Sequence, residues 1–449
     1  MDEMNSDLDG RLPIAHLGTR RYPSPLRLST TPDDLIADYT DDEHSVAIEM
    51  GPVNGPAIRL ELAGPRDKVF FHGPETHAAI VTCGGLCPGL NNVIRDLVST
   101  LWHRYGVRRI SGFRYGYSGL VPETQNAPLA LTPEKVEFIH YIGGSILGSS
   151  RGPQPPEKMA TQLANLGIDI LFCIGGDGTM RGVYALQKAI QERRQACAVV
   201  GVPKTIDNDL PYTERTFGFE TAVTMATSAI RAAHVEASGA PVGLGLVKLM
   251  GRHAGFIAAA ATVASREVDL VLVPEQPFDL DGENGVLDWL KTRLKAKAEA
   301  VVVVAEGAGQ NHLPMTRDAD ASGNRRLGDI GTHLKARFQD ELSPLGVSVK
   351  YIDPSYMIRA TPATPSDARF CGRVAENAVH AGMAGKTGLM IGLWANRFVH
   401  VPLKAVIEGT KRVDLDGPLW RSVLDTTNQP VLFGHRSKGA KDSDVSPHS

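Results

Sequence analysis

Three short stretches of the chain combine acidic, basic and glycine residues at spacings that suit phosphate chemistry. The first is "CIGGDGTMRG", residues 173–182, set between the apolar run "DILF" and the amphipathic "RGVYALQKAIQERR". A strand, a glycine turn and a helix in that order aim backbone N–H groups and the positive helix end at an anion. Gly175 and Gly176 let a ligand approach the backbone closely, and Thr179 can cap the helix through its hydroxyl. Asp177 is the odd member, because a carboxylate repels a phosphate unless a cation stands between them. Holding magnesium through oxygen or water is the task that fits it. Standing alone, the same residues could equally punctuate an ordinary βα loop.

The second stretch, "TCGGLCPGLNNVIRDL" at residues 82–97, repeats the logic with Gly84, Gly85 and Pro88-Gly89 ahead of a helix. It lacks the Lys-Ser/Thr ending of a P-loop and the spaced glycines of a dinucleotide fingerprint. The third, "VPKTIDNDLPYTERTFGFETA" at residues 202–222, places Asp207 and Asp209 either side of Asn208 and Lys204 just upstream. An extended backbone would turn both carboxylates to one side. Neighbouring carboxylates raise each other's pKa, which suits one of them to take a proton from a hydroxyl. Alone, "DND" could also be a solvated loop or a helix cap. A fourth element, "KLMGRHAGFIAAAA", sets Arg252 after Gly251 at a strand end, well placed for a phosphoryl group. Arg151 in "GSSRG", and Tyr356 and Arg359 in "YIDPSYMIRA", gain meaning only in company.

These residues need elements to position them. A chain of 449 residues has room for two or three cored domains. The formal net charge of -3 offers no electrostatic case for a nucleic-acid or membrane partner. No run approaches the ~18 apolar residues of a membrane span, and the acidic "MDEMNSDLDGRLP" is unlike a secretory signal. The five cysteines show no paired spacing and fit reduced thiols in a cytoplasm, and Cys83 and Cys87 lack the second ligand pair of a zinc site. From residue 76 onward apolar β-branched runs alternate with amphipathic stretches, which predicts an α/β architecture with mainly parallel strands. The expected strands are "AAIVTC", "DILFCIG", "CAVVGVP", "GLGLVKL", "LVLVPE", "AEAVVVVAEG", "VSVKYI" and "GLMIGLW". Residues 1–75 read as an extension with short strands such as "SVAIEM" and "AIRLEL". Residues 309–328 read as an exposed loop and 434–449 as a disordered tail.

In this order the pieces resemble the phosphofructokinase family. The carrying stretches are "GGLCPGLNNVIRDLV", "GYSGL", "GSSRG", "IGGDGT", "PKTIDNDL", "TFGFETA", "KLMGRHAGFIA", "VPEQPFDL", "AEGAG" and "YIDPSYMIR", covering about residues 76–400. The extension, "GGLCPGLN" and "PKTIDND" are more similar to the plant and trypanosomatid ATP-dependent branch than to the short bacterial enzymes. The resemblance implies two Rossmann-like lobes with the site in the cleft. The donor lobe would span 76–219, completed by about 363–415, and the sugar-phosphate lobe 220–362. It also implies magnesium-dependent phosphoryl transfer to the 1-hydroxyl of fructose 6-phosphate, in a cytoplasmic homodimer or homotetramer.

Carried over by position, Gly85 and Arg151 would touch the transferred phosphoryl group and Asp177 would bind the metal. Gly176, Gly178, Thr179 and Gly182 would line the nucleotide, with Tyr117 beside it. Asp207 would be the general base, supported by Thr205 and Asp209. Met250, Gly251 and Arg252 would place the sugar phosphate, Glu306 would bind sugar hydroxyls, and Tyr356 and Arg359 would grip the 6-phosphate. Tyr356 replaces a histidine usual in bacterial members, and Gly243 stands where those members carry an arginine that crosses to a neighbouring subunit.

The family uses either ATP or pyrophosphate as donor, and the chain carries one marker of each kind. Pyrophosphate users typically have an aspartate after GGD and a lysine in "PKTIDND"; here the residues are Gly178 and Lys204. A carboxylate at position 178 would oppose a nucleotide's α-phosphate, whereas glycine leaves its place open, so ATP is the expected donor and pyrophosphate the alternative. Lipid and NAD kinases also carry GGDGT, but "PKTIDNDL", "MGRHAGFIA" and "YIDPSYMIR" have no place in them. A sugar-phosphate sensor on a dead kinase scaffold would lack Asp177 or Asp207. Sedoheptulose 7-phosphate stays open as a further acceptor.

Overall fold

Runs such as "HAAIVT", "ILFCIG" and "AVVGVP" are apolar at nearly every position, the pattern of strands covered on both faces, and all three strands are fully buried. The structure is a computed structural model and describes residues 10–48, 57–123, 125–314, 318 and 326–434. Its backbone contacts divide the chain into two units. The described residues of the first fall within Met1–Met225, Arg317–Arg326 and Ser355–Arg412, and those of the second within Ala226–Thr316, Leu327–Pro354 and Val413–Ser449.

Among the described residues the first unit is built on a nine-stranded sheet. Its parallel centre runs Leu389–Trp394, Ala198–Pro203, Ile170–Gly175, His77–Thr82 and Arg109–Phe113. Register aligns the ends of the three middle strands, with Thr82 opposite Ile174 and Gly175 opposite Pro203. Three chain segments therefore leave the sheet side by side at its carboxyl edge, where open α/β sheets bind ligands. The second unit has a four-stranded, all-parallel sheet in the order Leu270–Leu272, Glu299–Ala305, Gly243–Leu249, Ser348–Ile352. Leu246, Val302, Leu290 and Phe338 pack in its core.

The segment before residue 76 contributes to the sheet of the first unit. Its strands Ser45–Ile48 and Ile58–Leu62 extend the main sheet through an antiparallel pairing with Arg397–Pro402, and Leu12, Ile48 and Leu60 share a core with Val199 and Met390. The strand Arg397–Pro402 was not among those expected from the sequence. It follows Leu389–Trp394 through Ala395 and Asn396 at φ 48 and 57, the two left-handed residues of a tight hairpin. Much of the loop expected at 309–328 and all but the first residue of the expected tail lie outside the described residues.

The added strands bring a buried ionic cluster. Arg66 donates to Glu61 at 2.6 Å and to Asp42 at 2.8 Å. Lys386 lies 2.8 Å from Glu61 and 2.9 Å from Asp42, and His400 Nδ1 is 2.9 Å from Glu61.

Candidate active site

The first glycine loop starts where strand His77–Thr82 ends. Gly84 takes φ 85, and Gly89, at φ 94, precedes helix Leu90–Ser99. The Gly84 N–H donates to the Ser150 carbonyl at 2.9 Å and its carbonyl accepts from Ser149 Oγ at 2.6 Å, so the "GSSRG" loop fixes the turn. A Cβ on Gly85 would come within 3.3 Å of an Arg151 guanidinium nitrogen, and one on Gly84 within 3.0 Å of Lys204 Nζ. Two cations thus converge on one pair of glycines. Lys204 is 6% exposed and donates to the Gly85 carbonyl at 2.8 Å. Burial pushes its ammonium below the ordinary lysine range, and the Arg151 and Arg359 charges push the same way. A buried cation beside two arginines is stabilised by an incoming anion.

The second loop leaves strand Ile170–Gly175 and enters helix Asp177–Glu192, with Gly176 as N-cap. Thr179 does not cap this helix, contrary to the sequence expectation. It lies inside the first turn, buried against Gly175, where a Cβ would stand 2.1 Å from Thr179 Oγ1. Tyr117 packs against the same turn. It is 4% exposed, its hydroxyl donates to the Thr179 carbonyl at 2.6 Å, and its ring fills the volume that a Cβ on Gly182 would need. Gly182 is therefore required for packing against Tyr117. Gly178 is the reverse: it is exposed, and a Cβ there meets nothing within 4 Å.

Asp177 Oδ2 accepts from Arg181 at 3.2 Å, while Oδ1 is buried without a hydrogen-bond partner among the described residues. Such an orphan oxygen at a phosphate loop suits a hard cation or its water. No group of three His, Cys, Asp or Glu able to hold a metal occurs among the described residues. Magnesium fits that pattern, since it binds through one or two carboxylates and completes its shell from phosphates and water.

The third segment leaves strand Ala198–Pro203. The extended backbone considered for Asp207–Asp209 is not what forms. The chain bends at Ile206 and Asp207, and Asn208 takes φ 55, so strict alternation does not place the two carboxylates. The bend is pinned from within. The Asp207 N–H donates to Thr205 Oγ1 at 3.1 Å, Asn208 Nδ2 donates to the Glu214 carbonyl at 3.1 Å, and Asn208 Oδ1 accepts from the Thr216 N–H at 3.1 Å. Asp209 holds Lys411 by its carbonyl, which accepts the Lys411 N–H at 2.8 Å. Burial lowers the Lys411 ammonium to about 8 against the opposing pull of Asp209 and Glu214. Tyr356 and Arg359 stand on helix Ser355–Ala360, also in the first unit, with Tyr356 84% exposed.

Met250, Gly251, Arg252 and Glu306 belong to the second unit. Strand Gly243–Leu249 ends at buried Met250, and Gly251 takes φ 134, where a Cβ would lie 2.6 Å from the Ala254 carbonyl. The Glu306 N–H donates to the Leu249 carbonyl at 2.9 Å and the Gly307 N–H to the Gly251 carbonyl at 3.0 Å, tying "AEG" to "MGR". Gly243 opens the strand, and a Cβ there would be 2.0 Å from the Ala237 carbonyl, so this packing has no room for a larger residue such as arginine.

Sequence reasoning missed Ser149, Ser150, Thr216 and Lys411. The serines could have been suspected from their glycine-bounded loop and Thr216 from its place beside "FGFETA". Lys411, two hundred residues from its partners, carries no local signal.

A profile described as Phosphofructokinase matches residues 77–382. The chain is 48% identical over 440 residues to an ATP-dependent 6-phosphofructokinase of Amycolatopsis methanolica, covering 94% of this chain and 96% of that protein. It is 44% identical to the Trypanosoma cruzi ATP-dependent 6-phosphofructokinase, covering 93% of this chain and 87% of that protein. In fold it is similar to a pyrophosphate-dependent phosphofructokinase from Marinobacter aquaeolei, with TM-score 0.65 at 22% identity, over 82% of this chain and 94% of that one.

Proposed function

The chain belongs to the phosphofructokinase family, and on that premise we propose that it transfers the γ-phosphoryl group of ATP to the 1-hydroxyl of fructose 6-phosphate. The products are fructose 1,6-bisphosphate and ADP. The observation that carries the donor is the open space around Gly178, in the first turn of a helix whose N-terminus faces the ligand side of the sheet. A nucleotide's α-phosphate needs that space, and an aspartate would fill it with like charge. Lys204 serves either donor, because it meets the inner phosphates of both. The relatives matched at high identity are named as ATP-dependent.

In this reading Asp207 accepts the proton of the 1-hydroxyl as the new O–P bond forms and the bond to the ADP oxygen breaks. Base assistance of this kind contributes about 10²–10⁴ in rate. Thr205 and Asn208 hold Asp207 in place. Arg151 and Lys204, over the Gly84-Gly85 turn, stabilise charge on the transferred group, which is most of what a loose phosphoryl-transfer transition state asks of a protein. Gly176, Gly178 and Thr179 form the nucleotide's helix-end cradle, with Tyr117 and Gly182 shaping it from below. Asp177 would hold magnesium, which supplies charge neutralisation on the phosphates. Met250, Gly251, Arg252 and Glu306, of the second unit, serve the sugar, and Tyr356 with Arg359, of the first, the 6-phosphate. Asp209 supports the base from the same turn. The location we assign is the cytoplasm, where five unbridged cysteines are stable, and the assembly a homo-oligomer.

Asp207→Ser tests the base. Turnover falls by about 10²–10⁴ while fructose 6-phosphate still binds with near wild-type affinity, measured by titration calorimetry. Lost binding with unchanged turnover at saturation would remove Asp207 from that role.

A further inference from the structure

Asp367 is 0% exposed and lies in the first turn of helix Pro365–Met383, three residues after the N-cap Thr364. A threonine followed three positions later by an acid is the pattern of a capping box, in which the acid reaches back to the N–H of the cap residue. The box here is opened. The Thr364 N–H donates instead to Thr221 Oγ1 at 3.0 Å, and Thr221 gives both its N–H and its hydroxyl to Asp367 Oδ2, at 2.7 and 2.6 Å. A residue far away in sequence has been inserted into the cap. A closed box would satisfy the Thr364 N–H alone; the open one also gives an acceptor to the Thr221 N–H in the first turn of helix Phe219–Ser238, so Asp367 joins two helix starts.

The gripped segment leads directly to the proposed base. Arg215 donates to the Ser366 carbonyl at 2.9 Å, lies 3.7 Å from Asp367 and stacks over Phe370 at 4.6 Å. Thr216, fully buried, donates its hydroxyl to the Thr205 carbonyl at 2.6 Å and its N–H to Asn208 Oδ1 at 3.1 Å. Thr205 and Asn208 flank Asp207. Residues 215–221 are thus held against the helix start at both ends, by Arg215 and Thr221, and through Thr216 bracket the turn that carries Asp207.

We propose that Asp367 is a positioning residue for the phosphoryl-transfer step: through Thr221 and the 215–221 segment it fixes the turn that presents Asp207 to the acceptor hydroxyl. The inference rests on the reading of Asp207 as the base. A displacement of about 1 Å at a catalytic group costs about 10²-fold in rate; the clamp hydrogen-bonds directly to the residues flanking Asp207, whereas it meets the first glycine loop only at its far end, through Cys87 and Gly89.

The test compares kcat and KM of the full-length enzyme with ATP and fructose 6-phosphate. Asp367→Ala lowers kcat by about 10²-fold with the KM for ATP within about threefold of wild type. Asp367→Asn, whose amide oxygen can accept both Thr221 donors, restores most of the loss. Thr221→Val and Thr216→Val each lower kcat by about tenfold, the scale of one lost hydrogen bond, and carry the test if Asp367→Ala does not fold. Wild-type kcat in every variant that folds overturns the proposal, as does a loss confined to KM. Asp207→Ser is run alongside: if it alone loses turnover, the clamp is wrong and the base stands; if it keeps turnover, the base is wrong.

Discussion

Gly178 and Asp177 are adjacent, yet they were legible to different degrees. The glycine's role follows from what it lacks, and the structure adds that a side chain there meets no protein atom. Gly178→Asp should therefore leave the fold intact and act on ligand alone. ATP-driven turnover falls by at least about tenfold, the effect of one like charge set against the nucleotide's α-phosphate, while any pyrophosphate-driven turnover is spared. Equal loss with both donors would show that the residue does not discriminate between them. Asp177 could be suspected from charge alone, but its orphan Oδ1 is visible only in three dimensions. Thr179 shows the limit. Residue type suggested a capping hydroxyl, whereas the side chain is buried as a packing group, and burial by distant elements is not written in local spacing.

At the scale of elements, the parallel strands were legible because strands covered on both faces read as unbroken apolar runs. Strand Arg397–Pro402 was not, since its exposed first residue and the preceding Ala395-Asn396 resemble an ordinary loop until the hairpin pairs. The turns between strands and helices depend on close approach. Gly218, at φ 90, sits where a Cβ would be 2.2 Å from Cys87 Sγ, and the Cys87 thiol donates to the Phe217 carbonyl at 3.3 Å. Gly218→Ala should cost about 1–3 kcal/mol of stability, the scale of overpacking, read from urea unfolding midpoints. It should lower kcat as well, because the same contact joins the glycine loop to the segment beside Thr216. An unchanged midpoint would mean the two backbones separate freely.

On the scale of the whole molecule, the N-terminal segment is joined to the sheet of the first unit by buried charge. Burial alone would push the Glu61 carboxyl up; the hydrogen bond from His400 and the charges of Lys386 and Arg66 outweigh it and hold it down at about 2. A carboxyl lowered on folding contributes stability above its ordinary pKa of 4.5, and that contribution is lost as the pH falls from there toward about 2. The melting temperature should drop steeply across that window, and Glu61→Gln should flatten the drop. At neutral pH the same variant should cost about 3–5 kcal/mol, the effect of removing one partner from a buried ion cluster. A wild-type acid profile in the variant would contradict this. None of it was legible beforehand, because Glu61, Arg66, Lys386 and His400 form no local motif: antiparallel pairing of distant strands sets His400 opposite Glu61, and Lys386 comes from a further strand.

The central claim is a donor, an acceptor and a direction of transfer. The purified protein is supplied with fructose 6-phosphate and magnesium, and fructose 1,6-bisphosphate formation is followed with ATP and, separately, with pyrophosphate. Rapid, saturable turnover with ATP and little with pyrophosphate is the predicted result. Fast turnover with pyrophosphate and none with ATP would contradict the account.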